Sequence, residues 1–190
     1  MHPEQEKPRK TKRTYNVPGH AHCLTYSCHR RLPLLLSDRT RLWVTEAIRR
    51  ARERHNMLIW SYVLMPEHVH LLVMPRNESY SIERFLASAK RPVAWKARRH
   101  LMQERNTSWL ERLSVRRGDR TVFRFWQPGG GFDRNIPDLR AIEEVARYLH
   151  ENPVRRGLVS EATQWYWSSA RWWAGDHSGP LALDPVRVDG

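Results

Sequence analysis

Two adjoining stretches constrain the fold more than anything else in the chain. Met57 to Met65 (MLIWSYVLM) is an apolar run of the buried-strand type, and Pro66-Glu67 leads directly into His68-Val69-His70-Leu71-Leu72-Val73-Met74. A connection this tight between two strands implies an antiparallel hairpin. On the second strand successive side chains alternate, so His68 and His70 project one way while Val69, Leu71 and Val73 project the other. Two imidazoles one pleat apart on a stiff support can both reach one metal ion. The same pair also suits an ordinary polar sheet face, so its meaning depends on the rest of the chain.

Apolar periodicity supplies the other elements. After a turn at Asn16-Val17-Pro18-Gly19, His20 to Cys28 (HAHCLTYSC) alternates as a first strand and carries its own His20-x-His22 pair. Ser37 or Asp38 can cap a helix reaching about His55, with Trp43, Val44, Ala47, Ile48 and Ala51 on one stripe. Ser79 or Ser81 starts a second helix carrying Ile82, Phe85, Leu86 and Ala89, and Pro92 is expected to kink or restart it. Residues 106–120 form a polar insertion with no legible organisation. Thr121 to Trp126 (TVFRFW) alternates as a further strand, and a loop with three consecutive glycines follows from Gln127 to Asp133. That loop lacks the GxxxxGK[ST] pattern of a nucleoside-triphosphate site.

Pro137-Asp138 opens a helix that Pro153 ends. Its apolar stripe is Leu139, Ile142, Val145, Ala146 and Leu149, with Glu144, Tyr148 and Asn152 one turn apart at an edge. A polar trio there is where a site at a helix–sheet seam would lie, although single tyrosines at such edges are mostly structural. The aromatic stretch from Trp165 to Trp173 is expected to pack back on the body. The order β-α-β-β-α-β-α fits an α+β fold, a ferredoxin-like antiparallel sheet with helices packed on one face. A single domain over residues 15–174 is expected, with a basic arm at 1–14, an irregular tail at 175–190 and no internal repeat.

Charge narrows the partners. Lys and Arg number 33 against 20 Asp and Glu, a formal net charge of +13 that suits a polyanion, and 9 Trp with 6 Tyr offer stacking surfaces for bases. The basic segment Lys90, Arg91, Lys96, Arg98 and Arg99 agrees in sign and is the candidate for phosphate contact. Cys23 and Cys28 are spaced for opposite faces of a strand, which implies neither a local disulfide nor a zinc half-site. No apolar run reaches the ~18 residues of a membrane span, and the N-terminus is charged, so a cytoplasmic protein with no membrane partner is expected.

Taken together the chain resembles the single-tyrosine HUH transposases, in particular the REP-associated tyrosine transposases. The resemblance rests on Val17-Pro18-Gly19-His20-Ala21-His22 before the first strand, and on Tyr62-Val63-Leu64-Met65-Pro66-Glu67-His68-Val69-His70-Leu71-Leu72-Val73. It continues in the loop Phe125 to Ile136, in Tyr148-Leu149-His150-Glu151-Asn152-Pro153-Val154-Arg155-Arg156-Gly157-Leu158-Val159, and in Trp167-Ser168-Ser169. It implies an HUH nuclease fold in which His68 and His70 bind Mg²⁺ or Mn²⁺ and Tyr148 is the nucleophile. Asn152 stands where relatives carry a third polar ligand, often Gln. The implied substrate is single-stranded DNA beside a palindromic hairpin, cut through a 5′-phosphotyrosine by a monomer or a homodimer. Mg²⁺ prefers oxygen ligands, while two imidazoles would also suit Mn²⁺ or Zn²⁺. Two other functions fit fewer of these residues. One is a noncatalytic DNA-hairpin-binding regulator, which needs neither metal nor phenol. The other is a zinc hydrolase, for which a third strong ligand and an HExxH helix are missing.

Overall fold

The structure, a computed structural model, describes residues 16–186, so the arm expected at 1–14 and the last four residues of the tail lie outside the described residues. Four strands form an antiparallel sheet in the order β2-β3-β1-β6: β1 is Ala21–Ser27, β2 Met57–Leu64, β3 His68–Pro75 and β6 Phe132–Ile136. The β2–β3 hairpin forms as its sequence dictates. A register shift between Ile59 and Ser61 bulges β2 at Trp60. The bulge puts Trp60 and Ser61 on one face, and the side chains beyond it keep the opposite alternation.

Helices cover both faces of this sheet, not one. α1 (Asp38–His55) and α2 (Ile82–Gln103) pack on one side, where Leu24, Tyr26, Val69 and Leu71 meet Val44, Ile48, Phe85 and Ala89. α4 (Leu139–His150) covers the other, where Cys23, Trp60, Val63 and Leu72 meet Ile142, Val145, Ala146 and Leu149. The physical reason is that β2 and β3 are apolar on both faces, and burying only one would leave Trp60, Val63 and Leu72 in water. The caps are Ser37, Ser81 and Asp138, whose side chains accept from the backbone N–H groups of Thr40, Arg84 and Ala141. Cys23 and Cys28 are free and face the two different cores.

Three expectations are corrected. Pro92 does not restart α2, which runs through it from Ile82 to Gln103; the proline is exposed, and the nearby Lys90 carbonyl accepts a hydrogen bond from Trp126 Nε1–H at 2.9 Å. The insertion at 106–120 is organised: Asn106 caps α3 (Thr107–Arg112), and β4 (Ser114–Arg117) pairs with β5 (Arg120–Phe123) as a separate hairpin. Within the alternating TVFRFW stretch, Thr121 to Phe123 therefore belong to this hairpin, and Trp126 beyond it meets the end of β1 through a bridge to Cys28. The fourth strand of the main sheet is Phe132–Ile136, which lies in what reads as the loop before the last long helix. It carries Asp133, Arg134 and Asn135 and pairs along one edge only, with β1, so no apolar pattern announces it. Gly131 makes that pairing possible: its φ is +80°, and a Cβ there would run into the Thr25 carbonyl.

The C-terminal aromatics do pack back. Leu64 N–H donates to Trp167 O at 2.8 Å, Ser169 N–H donates to Tyr62 O at 2.9 Å, and a short helix α6 (Ala170–Trp173) follows. A short α5 (Asn152–Arg155) continues from the end of α4, and residues 175–186 carry no regular element. No helix among the described residues is long and apolar enough to cross a membrane.

Candidate active site

β3 aims His68 and His70 at the α4 side of the sheet, on the same face as Leu72. Both are buried, and their Nε2 atoms converge to 2.9 Å with the rings edge to face. The other nitrogen of each ring is occupied. His70 Nδ1 meets the hydroxyl of Thr25, its register partner on β1, at 2.8 Å, and His68 Nδ1 meets Glu67 Oε1 at 3.2 Å. Burial pushes His70 down to about 3, with help from the charges of His68, Arg155 and Arg31. Burial also lowers His68, against the opposing pull of Glu67. Both rings are therefore neutral at neutral pH, the form that carries a ligating lone pair.

This arrangement fits a metal. When each Nδ1–H donates to its oxygen partner, both Nε2 lone pairs face one point, and they repel each other unless a proton or a cation lies between them. Oxygen partners on the outer nitrogens are the usual means of fixing tautomer and orientation in histidine metal sites. Among the described residues no group of three or more His, Cys, Asp or Glu is placed to hold an ion, so a third protein ligand has to come from elsewhere. Asn152, at the start of α5, spends its amide nitrogen on the Tyr148 and Leu149 carbonyls at 3.1 and 3.0 Å, so only its oxygen is left for a metal.

Tyr148 lies on α4 with 57% of its surface exposed. It lines a cavity of about 690 Å³ together with His70, Thr25, Phe132, Arg134 and Glu144. The fold thus brings the phenol and His70, one member of the histidine pair, to one cleft within a single chain. Arg155 lies over the Tyr148 ring, 4.2 Å from its centre, and donates to the Tyr148 carbonyl at 2.8 Å. Glu144 is exposed and its charge faces Arg140 at 3.5 Å. Glu67 is itself buried: burial alone would raise its carboxyl, but His68 and the hydrogen-bonded Arg156, at 2.8 Å, outweigh it and hold the group ionised.

No protein-family model matches the chain. A curated protein of Haemophilus influenzae, provisionally described as a REP-associated tyrosine transposase, is 26% identical over 145 residues, 72% of this chain and 76% of that one. A solved structure described as a REP-associated tyrosine transposase bound to a REP hairpin superposes with a TM-score of 0.67, covering 94% of this chain and 99% of that chain at 18% identity. The chain resembles the REP-associated tyrosine transposases in sequence and shares their fold.

Against that family fold, the basic residues of α2 separate into two kinds. Lys90 does not present its charge outward: its ammonium donates to Gly129 O at 2.9 Å, lies 5.7 Å from the centre of the Tyr26 ring, and has its pKa lowered by burial. It acts as a strut under the glycine loop. Arg91, Arg98 and Arg99 are exposed and Lys96 half-buried; Arg99 lies 5.3 Å from the ring centre of exposed Trp95. All of them ride on the helix layer opposite Tyr148, so the structure does not gather them at the cleft.

The second HxH pair is structural at His22. That ring is wholly buried, with Nδ1 at 2.8 Å from Asp133 Oδ1 and Nε2 at 2.7 Å from the Tyr80 hydroxyl. Sequence reasoning missed His150, which binds the hydroxyls of Ser61 and Ser169 at 2.9 and 2.8 Å and ties α4 to β2 and the aromatic tail. The signal was there, since His150 stands four residues after Ala146 on the buried stripe. It also missed Thr25, Glu67, Arg31 and Arg155–Arg156. Glu67 and the arginine pair adjoin flagged residues, whereas Thr25 is identified only by strand register.

Proposed function

We propose that this protein cuts and rejoins single-stranded DNA beside palindromic hairpins, with Tyr148 as the nucleophile. A free tyrosine phenol has a pKa near ~10 and is a weak nucleophile at neutral pH, so it needs an activated and well-oriented phosphate. His68 Nε2, His70 Nε2 and the Asn152 amide oxygen would hold a divalent ion, Mg²⁺ or Mn²⁺. Such an ion withdraws charge from the scissile phosphate and orients it for in-line attack. Thr25 and Glu67 keep the two imidazoles in the ligating tautomer. Arg155 holds the phenol ring at the mouth of the cleft. The Tyr148 oxygen bonds to phosphorus, the bond to the 3′ oxygen breaks, and the phenolic proton leaves to solvent, which protonates the departing 3′ oxygen to a 3′-hydroxyl. The 5′-phosphotyrosine conserves the bond energy, so reversal with a new 3′-hydroxyl rejoins DNA without ATP.

The observation that carries this reading is the convergence of the His68 and His70 Nε2 atoms at 2.9 Å, with His70 lining the cleft that Tyr148 also lines. The resemblance to a REP-associated tyrosine transposase, and the REP hairpin in the structure of the matching fold, supply the substrate class. The test is incubation with labelled single-stranded DNA carrying a palindromic repeat, with Mn²⁺ or Mg²⁺, followed by a denaturing gel. A metal-dependent covalent adduct holding the DNA 3′ of the nick is expected, and Tyr148→Phe abolishes it while leaving noncovalent binding intact. Undiminished adduct in that variant refutes the assignment. A mobility shift with no adduct from the parent protein establishes a noncatalytic hairpin binder instead.

A further inference from the structure

We propose that Arg31, Arg155 and Arg156 form a phosphate clamp around the His68–His70 pair, seating the scissile phosphodiester of single-stranded DNA; this rests on the function proposed above. The three guanidiniums arrive from two separate segments, the turn after β1 and the C-terminal end of α5, just after the tyrosine helix. Arg156 Nη1 donates to Glu67 Oε1 at 2.8 Å, Arg31 Nη2 approaches the same oxygen at 3.8 Å, and that carboxylate accepts from His68. Arg155 reaches the other partner of the reaction, lying 4.2 Å from the centre of the Tyr148 ring. Two consecutive arginines thus diverge, one to the nucleophile and one to the outer side of the histidine pair.

Charge identifies the occupant. All three guanidiniums act electrostatically on the pair: Arg31 on both histidines, Arg155 on His70 and Arg156 on His68. Three cations against the one carboxylate, Glu67, leave an excess of two positive charges beside two neutral rings. A divalent cation between those rings would add to the excess, and only an anion balances it. A phosphodiester carries one charge on two non-bridging oxygens, which suits the forked donors of arginine. The donors are accessible: the Arg31 and Arg156 side chains are 66% and 54% exposed, and Arg155 is exposed as well.

The backbone under Arg31 supports a placed residue. Arg30 and Arg31 have φ of +52° and +54°, a left-handed conformation that non-glycine residues rarely adopt. The turn is held in it by Cys28 N–H donating to Glu67 O and His29 N–H donating to Phe125 O, both at 2.8 Å. Strain maintained next to a cleft by surrounding bonds fixes where a side chain points.

The test uses the full chain carrying Tyr148→Phe, so that no cleavage intervenes, with and without Arg31→Ala/Arg155→Ala. Binding of a labelled single-stranded oligonucleotide with a palindromic hairpin is followed by fluorescence anisotropy in EDTA, over about 50–300 mM salt. Mn²⁺ binding without DNA is followed by electron paramagnetic resonance. The clamp predicts about tenfold weaker DNA binding and a salt slope smaller by about 0.7 for each lost phosphate contact. It also predicts Mn²⁺ binding that is unchanged or tighter, because positive charge has been removed. Arg31→Lys/Arg155→Lys, which keeps charge and fold but loses the fork, falls between the two. Unchanged DNA affinity overturns the clamp, and so does parallel weakening of Mn²⁺ and DNA binding, the signature of a merely structural role. Failure of the Tyr148→Phe parent to bind the oligonucleotide at all removes the proposed function and the clamp with it.

Discussion

Thr25→Val removes one hydroxyl from beside His70 and leaves the shape of the side chain nearly unchanged. Thr25 faces His70 across the β1–β3 ladder, and its Oγ1 lies 2.8 Å from His70 Nδ1. His70 is 8% exposed, so water cannot readily replace the lost partner. Leaving a buried ring nitrogen against a methyl group costs about 1–3 kcal/mol of stability. The effect on metal binding is of a different kind. With Nδ1 unpaired, nothing selects the tautomer whose Nε2 lone pair points toward His68. Loss of such an outer partner weakens metal sites roughly 10- to 100-fold, or about 1.4–2.7 kcal/mol. Mn²⁺ titration monitored by electron paramagnetic resonance reads the affinity, and a thermal melt reads the fold. Thr25→Ser, which keeps the hydroxyl, should bind Mn²⁺ within about threefold of the parent, the size of a small packing change of under about 1 kcal/mol. If Thr25→Val folds and binds Mn²⁺ as tightly as the parent, the histidine pair is not oriented from β1 and the argument fails.

Two further outcomes follow from the same interior. His70 and His150 are depressed from 6.5 to about 3 and about 4 by burial, so below pH 6.5 the unfolded chain binds protons that the folded chain refuses. Stability is then complete above pH 6.5 and falls as the pH drops toward 4, by about 1.4 kcal/mol per unit for each group. Urea midpoints measured in metal-free buffer across that window should decline steadily, and a flat profile contradicts the burial argument. Gly131→Ala should destabilise the protein by at least about 2 kcal/mol, because alanine is strained at φ +80° and its Cβ meets the Thr25 carbonyl. Differential scanning calorimetry checks this, and an unchanged melting temperature rules out the close β1 approach.

Part of the candidate site's geometry was legible because it follows local spacing. The period of two in His68-Val69-His70 places both rings on one face whatever surrounds the strand. The i, i+4 step from Tyr148 to Asn152 likewise puts the phenol and the amide at one helix edge. The MLIWSYVLM run marks its strand as buried, but the expected single layer of helices on one face was too few: the strand is apolar on both sides, and helices cover both. What the pattern of Phe132 to Ile136 could not state is its pairing: three polar residues become a strand only because β1 offers a free edge beside Gly131. TVFRFW, by contrast, has the right alternation and joins a different sheet, since alternation specifies a strand but not its neighbour.

The chain's own order of residues therefore settles which histidines stand ready as a pair, and narrows the helix starts to Ser37 or Asp38, to Ser79 or Ser81, and to Pro137-Asp138. Local geometry is enough for that, because it depends only on rotation per residue and on groups within one turn. Tertiary structure alone decides that Thr25 lies behind His70, that Glu67 is held between His68 and Arg156, that Lys90 is spent on Gly129, and that Tyr148 opens onto the cleft of His70. Each of those contacts joins residues brought together by strand register or helix packing, which the buried apolar area sets collectively and no short segment encodes.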